Sequence, residues 1–277
     1  MLKRIAPLVF LLLLAACGQK NDAGWLGYAE GDNTFVSAPQ AGWVTKLLVR
    51  RGSKVDPGDL LFTLDNTRQL AARNQAEAAL AQMKGVLAQE QANFAYAAKE
   101  LTRQQSLHRA RAGIGAQLDL AESNYRQSQA RLSQIQSQER QAEAALADAR
   151  YQLDQRNVVS YVHGSVQDIY FRQGEYAPAS TPVISILPPQ NVFVRFFVPE
   201  TEFSKVKLGQ RVAITCDSCA AGMTATVSFI AQQEEFTPPV IFSVGNREKL
   251  VFKLEARAPG GLKLNPGQPV EVRPASP

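Results

Sequence analysis

Between residues 67 and 155 the larger apolar side chains recur at intervals of seven. Leu80, Leu87, Phe94 and Leu101 form one series, and Leu118, Tyr125, Leu132, Leu146 and Leu153 form a second, with Glu139 at the position where a further apolar group would fall. Smaller side chains fill the intervening positions: Ala76, Met83 and Ala97 in the first stretch, Ala121, Ser128, Ile135, Ala142 and Ala149 in the second. This alternating spacing of three and four is the seam of a coiled coil. The stretch is built of Ala, Gln, Glu, Arg and Leu without proline, so helix propensity agrees with the period. Between the two series, "RARAGIGAQLD" breaks the pattern at Gly113 and Gly115. A short connection between helices of matched length makes them antiparallel neighbours. Arms of about 40 residues, rising 1.5 Å per residue, would project about 60 Å. Glu90 and Glu139 interrupt the seam, and the lateral faces, rich in Gln, Arg and Asn, suit either a solvated spacer or packing against copies of the same hairpin.

On both sides of this segment the period drops to two. "GWVTKLLVRRGSKVDPGDLLFTL" (42–64) and "GSVQDIYFRQGEYAPASTPVISI" (164–186) align without a gap at a constant offset of 122 residues. Gly42 matches Gly164, Val44 matches Val166, Arg50 matches Arg172, Gly52 matches Gly174 and Leu61 matches Val183. Each copy alternates apolar and polar residues before its Gly turn, as half-buried strands do. Lipoyl and biotinyl carrier domains contain two such halves joined by a tight hairpin, and here the helical segment lies where the halves would meet. One β-domain is therefore predicted to be split, over 25–65 and 157–188, around a hairpin spanning 66–156. From 189 to 273, "VFVRFFV", "RVAITC", "TATVSFIA", "VIFSV" and "LVFKLEA" read as β-branched and aromatic strands between Gly and Pro turns, which predicts a β-barrel. Pro238–Pro239 cannot donate to a ladder and should mark a bulge or an edge. The fold class is α+β and multidomain: an antiparallel coiled-coil α-hairpin inserted in a split lipoyl-like β-domain, followed by a β-barrel domain.

Positions 1–17, "MLKRIAPLVFLLLLAAC", carry Lys3 and Arg4 ahead of an apolar run from Leu8 to Leu14 that is too short to span a bilayer. Leu14-Ala15-Ala16-Cys17 looks like a bacterial lipobox, in which Cys17 is lipidated on its thiol and becomes the first mature residue. Acyl chains would hold the protein to a membrane without a transmembrane helix. The rest of the chain is then expected beyond the inner membrane, in an oxidising compartment. The net charge of +5 includes Lys3 and Arg4, and the remaining charge is too small and too scattered to argue for nucleic acid.

Catalysis finds little support. The chain has no Walker motif, nucleophile elbow or His–carboxylate cluster, and two histidines leave few general bases. A lipoyl or biotin carrier needs a lysine between its halves, where this chain has Asp65-Asn66-Thr67-Arg68. No cofactor and no metal are expected. Cys216-Asp-Ser-Cys219 is the one pattern that invites chemistry: a redox pair, half of a zinc site or a structural disulfide. Zinc would need two more ligands, and the histidines are His108, in the hairpin, and His163, in the split domain. Redox pairs usually open a helix, whereas Cys216 ends a strand pattern, so a disulfide clamping a barrel turn is expected.

The whole arrangement resembles the HlyD-type periplasmic adaptor (membrane fusion protein) family over nearly all of the mature chain. The resemblance is most specific in "NVFVRFFVPETEFSKVKLGQRVAITCDSC", "ATVSFIAQQEEFTPPVIFSVGNREKLVFKLEARAP" and "LNPGQPVEV", and it is similar to the subgroup linked to ABC-type exporters. It implies an adaptor joining an inner-membrane ABC-type exporter to a TolC-like outer-membrane channel. Such an adaptor acts as a homo-oligomeric ring, a hexamer being one candidate, and is lipid-anchored in the periplasm at the inner membrane. Long adaptors carry a further membrane-proximal domain after the barrel; this chain stops about ten residues beyond Gly267, which favours an ABC partner over a resistance-nodulation-division pump. Adaptors that dock on TolC-like channels often carry an Arg, a Leu four residues on and a Ser at the start of the second helix. Arg103 and Leu107 match, while Gly115 stands near the serine position and is expected to serve as N-cap. The rival reading is a self-assembling envelope lipoprotein tether with no transport role.

Overall fold

The computed structural model describes residues 24–217, 219, 222–236 and 250–275. Cys17, the "VIFSV" strand and Pro238–Pro239 lie outside the described residues. The chain divides into two compact units, one spanning Phe35–Ser185 and the other formed by the flanking segments.

Strands are numbered in chain order: β1 (Trp25–Gly31), β2 (Thr34–Ser37), β3 (Gly42–Leu47), β4 (Lys54–Val55), β5 (Leu60–Leu64), β6 (Asn157–Val159), β7 (Gly164–Ile169), β8 (Tyr176–Ala177) and β9 (Pro182–Leu187). Strands β2 to β9 form two four-stranded sheets, β6-β5-β3-β8 and β2-β9-β7-β4. Each half of the repeat thus supplies the two central strands of one sheet and both edge strands of the other. The hydrogen bonds repeat at the same offset as the sequence. Gly52 N donates to Val166 O at 2.8 Å, and Gly174 N donates to Val44 O at 2.8 Å. The β3–β8 ladder pairs Gly42 with Ala177, and the β4–β7 ladder pairs Val55 with Gly164. In this domain Val44, Leu61, Phe62, Leu64, Val166, Val183 and Ile184 are fully buried, each worth about 1.5–3 kcal/mol of transfer free energy for a full-sized apolar side chain.

The helices leave this domain where a tight turn would otherwise stand. Strands β5 and β6 are antiparallel neighbours, with Thr63 opposite Asn157, and Leu64 N donates to Arg156 O at 2.8 Å. The first arm, Thr67–Arg109, and the second, Gly115–Asp154, span 43 and 40 residues, or about 60 Å each. Every seam position named from the heptad pattern is buried or half-buried, and Gln104 extends the seam toward the tip. Phe94 packs on Tyr125, ring centroids 5.2 Å apart. Glu90 stays in the seam with its side chain 8% exposed, accepting a 3.1 Å bond from Arg131 Nε across the arms. The interruption is a cross-arm ion pair, a polar lock of the kind that fixes register at a cost in stability.

The second unit is a closed barrel. Its strands, adding β10 (Val192–Pro199), β11 (Arg211–Thr215), β12 (Thr224–Phe236), β13 (Leu250–Arg257) and β14 (Pro269–Pro274), run in the order β1-β10-β13-β12-β11-β14. This corrects the expectation that residues 25–65 all belong to the split domain, because Trp25–Gly31 is a barrel strand between β10 and β14. Its alternation explains the choice: Trp25, Gly27 and Ala29 are buried. A Cβ on Gly27 would stand 2.7 Å from Phe196 Cβ, so only glycine lets the strands close here. Trp25 stacks on Phe196 and donates from Nε1 to Glu202 Oε2 at 2.8 Å, in a short helix Glu200–Phe203.

Candidate functional site

The hairpin tip is the part of the first unit that offers apolar side chains at the end of a long lever. The first arm closes with Ala110 N bonded to Ser106 O at 3.1 Å, and Ala112 N then folds back to Leu107 O at 3.0 Å. The reversal passes through Arg111, whose φ of 60° lies in the left-handed region. Gly113 allows a close approach, since a Cβ there would meet His108 N at 2.9 Å. Ile114, extended at φ −90° and ψ 125°, is the N-cap of the second arm. Its carbonyl accepts from Gln117 N at 3.0 Å and Leu118 N at 3.4 Å. Gly115 is therefore the first helical residue, which corrects the expectation that it caps the helix. A Cβ on Gly115 would meet nothing within 4 Å, so a serine fits there without displacement.

Arg103 lies one turn below Leu107 on the first arm. Its Nε and Nη2 reach the two oxygens of Glu100 at 3.0 and 2.6 Å, and Gln104 Nε2 bonds the same carboxylate at 2.8 Å. The hydrogen bonds from Arg103 and then Gln104 hold the Glu100 carboxyl below its usual range, and the same contact raises the Arg103 guanidinium. Arg103 is thus a positioned fork with much of its surface in solvent. Leu107 is exposed, and two apolar residues that the motif did not single out join it in solvent at this end, Ile114 at 64% and Leu120 at 61%. Both were legible only as departures: apolar residues off the heptad seam beside a turn. His108, Arg109 and Arg111 are also exposed here, so the tip is apolar with a basic surround.

At the root of the hairpin, Asp65 Oδ1 accepts from Thr67 Oγ1 at 2.7 Å and from Thr67 N at 3.3 Å. These bonds lower its pKa, the hydroxyl contributing most. Arg156 is buried at the end of the second arm and donates from Nη1 to Ala41 O at 2.9 Å. In the barrel, Cys216 and Cys219 are joined by a disulfide, Cα atoms 5.2 Å apart, after β11. Cys219 N bonds Cys216 O at 3.2 Å, and Gln268 Nε2 donates to Cys216 Sγ at 3.0 Å. Among the described residues, no group of three or more His, Cys, Asp or Glu side chains could hold a metal ion. Among the same residues, no helix is long and apolar enough to cross a membrane.

No protein-family model matches the chain. The UPF0194 membrane protein YE2891 of Yersinia enterocolitica is 27% identical over 98% of each chain. Among solved structures, MacA from Actinobacillus actinomycetemcomitans superposes with a TM-score of 0.70 at 23% identity, over 90% of this chain and 76% of that one. The membrane fusion protein Spr0693 from Streptococcus pneumoniae R6 gives 0.57 at 18% identity, over 91% and 98%. The periplasmic adaptor protein EmrA gives 0.51 at 14%, over 90% and 97%. These solved structures superpose on about nine tenths of the chain, and the chain has the fold of the periplasmic adaptor, or membrane fusion, proteins.

Proposed function

We propose that this chain is the periplasmic adaptor of a tripartite export system. It links an inner-membrane ABC-type exporter to a TolC-like outer-membrane channel and is anchored through a lipidated Cys17. The observation that carries the reading is the hairpin: a lever of about 60 Å, rooted in a β-domain closed from both ends of the insertion, with Leu107 and Ile114 solvent-exposed at its tip. A spacer needs no exposed apolar end, whereas a docking tip does. Arg103, held by Glu100 beside Leu107, is the polar partner of that contact, and Gly115 leaves room for the surface of the channel. Copies of the adaptor form a ring, and the adaptor couples the exporter's cycle to the channel by holding both, with no catalysis of its own. The Cys216–Cys219 disulfide serves the barrel as a clamp.

The test is photo-crosslinking from position 107 in intact cells, followed by identification of the captured protein. Capture of an outer-membrane channel supports the bridge. Capture of this chain alone, or of nothing, overturns it in favour of a self-assembling envelope tether. Deletion of the tip, residues 103–120, should abolish export; unchanged export would sink the reading.

A further inference from the structure

The internal repeat supplies a control for the surface of the split domain. Two identical halves would give the two sheets identical outer faces. The backbones match, but the outward side chains do not. On one sheet Trp43 and Tyr176 pair across the β3–β8 ladder, edge to face with ring centroids 5.4 Å apart, and are 56% and 51% exposed. The repeat-equivalent positions on the other sheet are Ser165 and Lys54, paired across the β4–β7 ladder, with Lys54 exposed. The asymmetry extends to charge: exposed Lys46 is equivalent to Asp168, which pairs with Arg51.

Cross-strand aromatic pairs can stabilise a sheet, yet the β4–β7 ladder forms the same two-residue register with a serine and a lysine. Joining the two halves therefore does not require two large rings standing more than half in solvent. Rings so placed offer a negative π-face to a cation, and the equivalent face of another copy carries Lys54.

We propose that the Trp43–Tyr176 face is an interface with a second copy of this chain, whose Lys54 face packs against it. The inference rests on the ring reading above and names the surfaces that make the ring. Because the two faces differ, the contact is heterologous and head-to-tail, and a heterologous contact whose rotation closes gives a ring. The aromatic face packed on the same face of the other copy would instead give a two-fold dimer.

The experiment places a photo-reactive phenylalanine analogue at position 43 of the full chain in intact cells and maps the cross-linked peptides. The expected product is a ladder of multimers of this chain with the cross-link in the segment 50–58. A cross-link to position 43 of the other copy, or to another segment, overturns the inference. In parallel, a lysine-reactive cross-linker on the unmodified chain reports self-association by itself. A ladder there without a position-43 product sinks this inference alone; the absence of both sinks the ring reading with it. Lys54→Glu should weaken self-association about tenfold per contact while Lys54→Arg retains it. Equal loss in both variants, or no loss in either, removes the cation from the interface.

Discussion

The two halves of the split domain close on each other with the same hydrogen bonds, yet they continue into different structures and tolerate different side chains. Arg50 O accepts from Ser53 N at 3.0 Å, and Arg172 O accepts from Glu175 N at 3.1 Å. Gly58 N bonds Ser160 O at 2.8 Å, and Ser180 N bonds Ala38 O at 2.9 Å. The backbone is held by these exchanges because an unpaired buried peptide group is costly. Side chains are held only where they meet the core. At the end of each half the constraint disappears: Asp65 launches the coiled coil, while its equivalent, Leu187, is buried in the barrel core. Insertion of the 92 residues 65–156 between β5 and β6 is therefore compatible with the domain, since the hairpin replaces a turn and leaves every ladder intact.

If the halves are interlocked as the ladders indicate, damage to either core should unfold both. Phe62 and its equivalent Ile184 are fully buried. Phe62→Ala is expected to cost about 3–5 kcal/mol and Ile184→Ala about 2–5 kcal/mol. Hydrogen exchange of strands in both halves should lose protection together in each variant. Loss confined to the mutated half would break the comparison.

A smaller effect is expected at the junction that only the first half carries. Arg156→Met should cost about 1–3 kcal/mol, because the Ala41 carbonyl loses its buried donor. The shift in denaturant midpoint measures this; a neutral result would show that water replaces the guanidinium.

Smaller still is the effect of exchanging the turn residues of the two halves. Gly58 has φ 96°, and Ser180 occupies the equivalent turn at φ 61°. The left-handed region costs a non-glycine residue about 1–2 kcal/mol, offset in part by the greater freedom of an unfolded glycine. Ser180→Gly should therefore stabilise by about 0.5 kcal/mol, and Gly58→Ser should destabilise by more. Destabilisation by Ser180→Gly would mean that the hydroxyl makes a needed contact.

These comparisons also mark what the sequence made legible. The seam and the repeat were readable because their signals are local: a spacing of seven and a fixed offset. Glu90 read as a break because its partner, Arg131, lies on the other arm. The barrel role of Trp25–Gly31 depends on Phe196 and Val270, partners that no local period reveals. At the tip, the glycines signalled a turn, but the left-handed residue is Arg111 and the cap is Ile114. Glycine permits such geometry without being required to adopt it. Arg103 and Leu107 could be named from a motif, whereas the exposure of Ile114 and Leu120 needed the folded tip.

The smallest expected effect concerns the point where the halves diverge. Asp65 carries a lowered pKa because the Thr67 hydroxyl, then its amide, hydrogen-bonds the ionised carboxylate. A depressed carboxylate contributes stability that is fully present above its unfolded pKa and lost as pH falls through the folded one. The loss should therefore begin near the ordinary aspartate value of about 3.9 and finish below it. Asp65 is exposed, so solvent screens the contribution, and the consequence should be local: the first turn of the hairpin frays at Thr67 while the β-ladders hold. Leu187, without a titrating group, should give the end of the second half no such response. Amide exchange at Thr67 followed against pH would test this, with Asp65→Asn expected to flatten the curve. The same pH response in that variant would move the cause to another carboxylate at the root.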